Sequence, residues 1–126
     1  MRIAQRMYDI TPTGTFWLIG YGAMVESRKH PAEGVHDPIF ANALLMEVDG
    51  QRVFMVNLDL VELESEYCDA LRPQLAERFG LDERCVLLCV THDHQSVRDY
   101  HHTWETGEYD PAYEEFLTQT IYRAYE

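Results

Sequence analysis

Val86-Leu87-Leu88-Cys89-Val90-Thr91-His92-Asp93-His94 decides how this chain is read. Five apolar residues in succession read as a buried strand, and they end on a polar tetrapeptide carrying two imidazoles. Residues i and i+2 of a strand share a face and lie about 6.5–7 Å apart along it. Where such a strand opens into a loop, two rings can converge on one metal ion at roughly 2.0–2.1 Å, the Zn–N distance. His92 and His94 are therefore the candidate metal-site residues. The competing reading is that they cap the strand and hydrogen-bond loop carbonyls.

Working back from that strand, Tyr67, Ala70, Leu71 and Leu75 recur at three- and four-residue spacing, which predicts a helix from about Ser65 to Phe79. Ser65 is the expected N-cap and Gly80 the C′ stop, while Pro73 inside the pattern implies a kink or a later start. Before it, Arg52 to Leu60 holds the run Val53-Phe54-Met55-Val56 and is expected to be a strand covered on both faces. Strand, helix and strand make a βαβ unit. Asp49-Gly50 is a type I′ hairpin signal joining that strand to another over Ile39–Val48. Residues 2–10 alternate weakly as a short first strand, and Thr11-Pro12-Thr13-Gly14 is a turn. The fold class that results is α/β: a mixed sheet with a β-hairpin and a βαβ unit, helices packed on the sheet.

The remaining segments connect these elements. Gly20-Tyr21-Gly22 lets the backbone bend sharply or approach something closely. Residues 23–35 are polar and read as an exposed loop, and residues 92–110 form a long polar and aromatic loop of the kind that is functional or disordered. Asp110-Pro111 opens a second helix, as N-cap and N1, with Tyr113, Phe116, Leu117, Thr120 and Ile121 on one face. That helix meets Glu126 without a cap, which leads us to expect an incomplete architecture.

Bulk properties narrow the function classes. The 126 residues form a single domain, 1–126, and 46% hydrophobic with 12% aromatic content opposes disorder. A net charge of −12 disfavours nucleic acid, which needs clustered Lys and Arg. No stretch approaches transmembrane length, and the N-terminal residues lack an apolar signal core. Cys68, Cys85 and Cys89 are expected to be reduced thiols, so a cytoplasmic location is expected.

Other groups accompany the histidine pair. Asp59, ending the strand before the helix, reaches the same sheet edge in a parallel arrangement, where α/β sheets place their sites. It is expected either to orient an imidazole or to tether a loop. His36-Asp37-Pro38 is read as a turn, and His101-His102 as solvated loop residues before they are read as ligands. Ser96 lies near the pair, but no Gly-x-Ser-x-Gly elbow, P-loop or paired-Cys zinc site exists.

Two families resemble these motifs. Thr91-His92-Asp93-His94 is similar in part to the metallo-β-lactamase motif His-x-His-x-Asp-His, whose Asp-His half is absent here. The better resemblance is to the neutral/alkaline non-lysosomal ceramidase family, in its N-terminal segment. It rests on Asp9-Ile10-Thr11-Pro12, Gly20-Tyr21-Gly22-Ala23, Glu33-Gly34-Val35-His36 with Phe40-Ala41, Val56-Asn57-Leu58-Asp59, and Thr91-His92-Asp93-His94, in that order. The family continues Ser-Gly-Pro after the last motif, where Gln95-Ser96-Val97 stands here.

That resemblance implies a zinc-dependent amidohydrolase cleaving the N-acyl bond of ceramide or a related amide. It implies that His92 is a zinc ligand, and that His94 neighbours the metal and contacts its water or the substrate amide. The family's further ligands, a second His, a Glu and a Tyr, lie beyond the region matched. The alternative is a non-catalytic α/β binding or assembly module with a vestigial metal site. A third reading completes the site by oligomerisation, with His102 or a Glu from a second copy.

Overall fold

The structure, a computed structural model, describes residues 1–97 and 107–126. Four strands form one sheet in the order β1-β2-β3-β4: β1 (Arg2–Asp9), β2 (Phe40–Val48), β3 (Gln51–Leu58) and β4 (Val86–Val90). β1, β2 and β3 pair antiparallel, and β3 and β4 pair parallel. The parallel pair is bridged by α1 (Ser65–Phe79), and α2 (Pro111–Tyr125) closes the described chain. The expected mixed sheet, hairpin and βαβ unit are all present.

Local chemistry accounts for these boundaries. Asp49 (φ 49°) and Gly50 (φ 81°) both take the positive φ that a type I′ turn requires. Asp110 caps α2 by accepting from the Ala112 N–H at 2.9 Å, with Pro111 in the first helical position. The start of α1 departs from expectation. Glu64, extended at φ −61° and ψ 140°, is the capping residue, with no side-chain cap hydrogen bond, and Ser65 is already helical. The Glu64 carbonyl accepts from Cys68 N–H, so the first turn closes on backbone alone. Pro73 sits inside α1, which is continuous across it.

The pairing register assigns each strand residue to a face. On one face lie Ala41, Ala43, Phe54, Val56, Leu58 and Val86, all buried against Leu71 and Leu75 of α1 and Leu117 and Ile121 of α2. The small side chains of Ala41 and Ala43 leave room for α2, which crosses β1 and β2, while α1 covers β4. Phe54 is fully buried and meets Tyr125 edge-on, ring centroids 5.3 Å apart. Arg52, on this same face, donates to Tyr125 Oη (2.6 Å) and to the Phe79 and Gly80 carbonyls, tying the ends of both helices together.

The other face is different. Ile3 and Met7, Leu44 and Met46, Val53 and Met55, and Leu87 line it, and none of them is buried. Ile3 is 57% and Met7 61% exposed. The expectation that β3 is covered on both faces is therefore corrected: both helices pack on one side, so Val53 and Met55 stay half-exposed. Among the strand residues of this open face the sole charge is Asp9, at the end of β1. Of the residues that the helical pattern placed on one face of α2, Tyr113, Leu117, Thr120 and Ile121 are buried, whereas Phe116 is 37% exposed. Among the described residues no helix is long and apolar enough to cross a membrane.

Candidate functional site

The parallel pairing of β3 and β4 carries their C-terminal ends to one edge of the sheet. The two chains run on together past their strands, Thr91 N–H donating to the Leu58 carbonyl and Asp93 N–H to that of Leu60, both at 3.0 Å. Between these two bonds His92 adopts φ 61°, a left-handed backbone uncommon in residues other than glycine. That twist takes the imidazoles off their strand spacing and turns them toward each other. Their ring centroids are 4.9 Å apart and the Nε2 atoms 3.3 Å apart.

That separation can be tested against a metal. Two nitrogens each at roughly 2.0–2.1 Å from a tetrahedral zinc ion are roughly 3.3–3.4 Å apart. The pair therefore fits two corners of one coordination shell. Its supporting bonds are unequal. His92 Nδ1 lies 2.7 Å from the Val61 carbonyl, which can only accept, so Nδ1 carries the proton and Nε2 presents its lone pair. This is the way a metal-ligating imidazole is ordinarily oriented, by a hydrogen bond to its other nitrogen. His94 Nδ1, by contrast, is buried and has no hydrogen-bond partner among the described residues. Among the described residues no group of three or more His, Cys, Asp or Glu side chains could hold a metal ion.

The bed of His94 is built by a segment the sequence marked for close approach. Gly20, at φ 88°, lies flat against the imidazole: a Cβ there would come within 2.5 Å of His94 Nδ1. Tyr21, also at positive φ, sets its ring on His94 at 4.4 Å between centroids. Arg28 is 3% exposed, and its guanidinium donates to the Gly20 carbonyl at 3.1 Å and the His94 carbonyl at 2.5 Å. Segment 23–35 is thus not simply an exposed loop: two short 3-10 turns, Gly22–Met24 and Glu26–Arg28, deliver a buried cation beneath the site. Leu18 bridges Val97, and Ile19 N–H donates to the Ser96 carbonyl, locking the two loops together. Ser96 is fully buried, and its hydroxyl has no partner among the described residues.

The other candidates separate. Asp59 Oδ2 accepts from Phe40 N–H at 2.9 Å, so it tethers β2 to β3, and the partner of His92 is the Val61 carbonyl. His36 pairs with Asp37 at 2.7 Å in an exposed turn, as the sequence favoured. His101 and His102 lie outside the described residues. A cavity of about 510 Å³ opens beside Asp93, lined by Phe16, Leu18, Val35, Ile39 and Val97. A second, of about 490 Å³, shares Phe16 and Val97 and is lined also by Trp17, Tyr109 and Phe116.

Comparison with known proteins gives a likeness of fold. A crystal structure of the neutral ceramidase from Pseudomonas aeruginosa superposes with a TM-score of 0.78 at 19% identity, over 98% of this chain. A structure of ceramidase complexed with C2 gives 0.77 at 20% identity, again over 98%. The fold is ceramidase-like. This chain spans 20% of the length of each of those structures. No protein-family model matches the sequence, and no curated protein matches it.

Proposed function

We propose that this chain supplies the histidine corner of a zinc-dependent, ceramidase-like amidohydrolase centre acting on the N-acyl amide of ceramide or a related amide. The observation that carries this reading is the 3.3 Å separation of the His92 and His94 Nε2 atoms at the end of β4. Fold likeness to two ceramidase structures supports it. Zinc, when bound, lowers the pKa of water to about 7 and polarises a scissile carbonyl.

The roles of the two imidazoles differ because their surroundings differ. His92 is the metal ligand in this reading, since the Val61 carbonyl fixes its tautomer and leaves Nε2 as an acceptor of a metal. Among the described residues His94 has no such bond at Nδ1, and its Nε2 faces the same point as that of His92, where it would contact the metal's water or the substrate amide. The cavities at Phe16 and Val97, which mix apolar side chains with Asp59, Asp93, Glu108 and Asp110, offer room for both the hydrocarbon and the polar parts of an acyl amide. Further zinc donors come from outside this pair, so the chain is read as one part of the centre.

Zinc content by mass spectrometry and hydrolysis of a fluorogenic N-acyl amide test this. Weak, His92-dependent zinc binding without robust turnover by the 126-residue chain is expected. Tight stoichiometric zinc with robust turnover would overturn the incompleteness of the centre. Absence of any zinc binding would leave the non-catalytic module.

A further inference from the structure

Beneath the His92–His94 pair sits a residue that neither composition nor motif singles out. Arg28 sits in a polar stretch with Lys29 and His30 beside it, yet its own exposure is 3%. A guanidinium is planar, keeps its charge at any ordinary pH, and offers several donors in a fixed fork. Here the fork spans two different loops. Nε donates to the Gly20 carbonyl and Nη2 to the His94 carbonyl, while Nη1 holds Ser27 Oγ at 3.0 Å. The same cation lies 5.7 Å from the centre of the Tyr21 ring, whose other neighbour is the His94 imidazole.

These contacts make a closed figure. Gly20 and Tyr21 form the bed on which the His94 ring rests, and Arg28 grips both the bed and the backbone of the residue lying on it. Among the described residues His94 has no hydrogen bond at Nδ1, so its ring direction is set by this grip, by packing and by the contact of its Nε2 with His92. His92 needs no such help, because the Val61 carbonyl orients it directly. We propose that Arg28 is a positioning residue that holds His94 in register with His92, acting as a fixed strut between the two loops. This rests on the reading of the pair as a zinc corner for its zinc readout, but not for its structural one.

The test uses Arg28→Met and Arg28→Lys in the full chain, followed by two-dimensional NMR of the histidine rings with and without zinc chloride. In the unaltered protein, ring-to-ring contacts from His94 to Tyr21 and to His92 are expected without metal. In Arg28→Met the strand signals persist and the His94–Tyr21 contact is lost. Zinc affinity falls at least about tenfold, in the range typical of lost ligand-supporting bonds. His92 still responds to zinc in that variant, whereas His94 does not. Arg28→Lys keeps the charge but offers its donors from a single nitrogen rather than from the separate Nε and Nη2 that reach the two loops, so it loses the His94–Tyr21 contact as well while remaining folded, which decides the matter if the Met variant does not fold. Retention of the His94–Tyr21 contact in a folded variant, or zinc affinity within twofold of the unaltered protein, would overturn the proposal. Should the unaltered protein bind no zinc, the zinc reading fails, and the metal-free ring contacts alone judge the role of Arg28.

Discussion

The Nε2 atoms of His92 and His94 stand 3.3 Å apart because His92 takes a left-handed backbone at φ 61°. For a residue with a Cβ this conformation costs on the order of 1–2 kcal/mol. The surrounding bonds from Thr91 and Asp93 to the chain after β3 hold it there. Such strain is a common companion of ligand sites.

His92→Asn isolates the ligand from the backbone, because Asn tolerates the left-handed region better than most residues. Stability is expected to change by no more than about 1 kcal/mol. Zinc affinity is expected to fall by more than about 100-fold, the loss of one coordinating nitrogen exceeding the roughly 10–100-fold effects of supporting bonds. Urea denaturation and calorimetric zinc titration measure the two quantities side by side. Equal zinc affinity in the variant would remove His92 from the site.

Gly20→Ala tests the bed of His94. Its Cβ would meet the imidazole at 2.5 Å from Nδ1 and 2.7 Å from Cγ, and the backbone at φ 88° resists a side chain independently. A loss of about 1–3 kcal/mol is expected in chemical denaturation, with displacement of the His94 ring signals. An unshifted His94 would mean that the ring is not seated on Gly20.

How much of this was legible beforehand follows from which interactions are local. Asp49-Gly50 and Asp110-Pro111 act within three or four residues, so their turn and cap are readable in sequence and the structure has both. The Gly20-Tyr21-Gly22 signal gave close approach without saying to what; His94 is 74 positions away. Arg28 carried no signal, since a single Arg in a polar stretch is normally solvated, and its carbonyl partners are backbone atoms that leave no sequence trace. The Val61 carbonyl escaped for the same reason, and Asp59 was a candidate for its role because carboxylates are visible in sequence. Val53-Phe54-Met55-Val56 overstated burial, because a continuous apolar run does not say whether both faces of a strand are covered.

Arg52→Leu probes the joint between the helices. Three hydrogen bonds end on its guanidinium, to Tyr125 Oη and to two carbonyls at the C-terminal end of α1. Removing the donor leaves those acceptors to find other partners, which costs about 1–3 kcal/mol. Urea unfolding should show a lowered midpoint at an unchanged slope. A midpoint equal to that of the unaltered protein would show that water replaces the guanidinium at no cost.

The exposed Asp82 gives a pH-dependent check. Hydrogen bonding to the Arg84 side chain, and then to the Arg84 N–H, holds its carboxyl at about 2, below the ordinary 3.8. The folded value is the lower one, so its stabilising contribution is complete above pH 3.8 and is lost as pH falls toward 2. Carboxyl carbon NMR titration should give that low midpoint, and Arg84→Gln should move it up toward 3.8. A midpoint near 3.8 in the unaltered protein would show that the pair does not persist in solution.

The open face of the sheet, whose strand residues carry no charge but Asp9, sets the colloidal behaviour of this chain. A charge of −12 is carried almost wholly elsewhere, so two copies repel at long range while their bare faces attract at contact. The repulsion reaches about 30 Å at 0.01 M salt but only about 3 Å at 1 M. Light scattering at fixed concentration should therefore report growing assemblies as sodium chloride is added, the reverse of what charge-paired association does. Met7→Lys, on the most exposed part of that face, should suppress the growth.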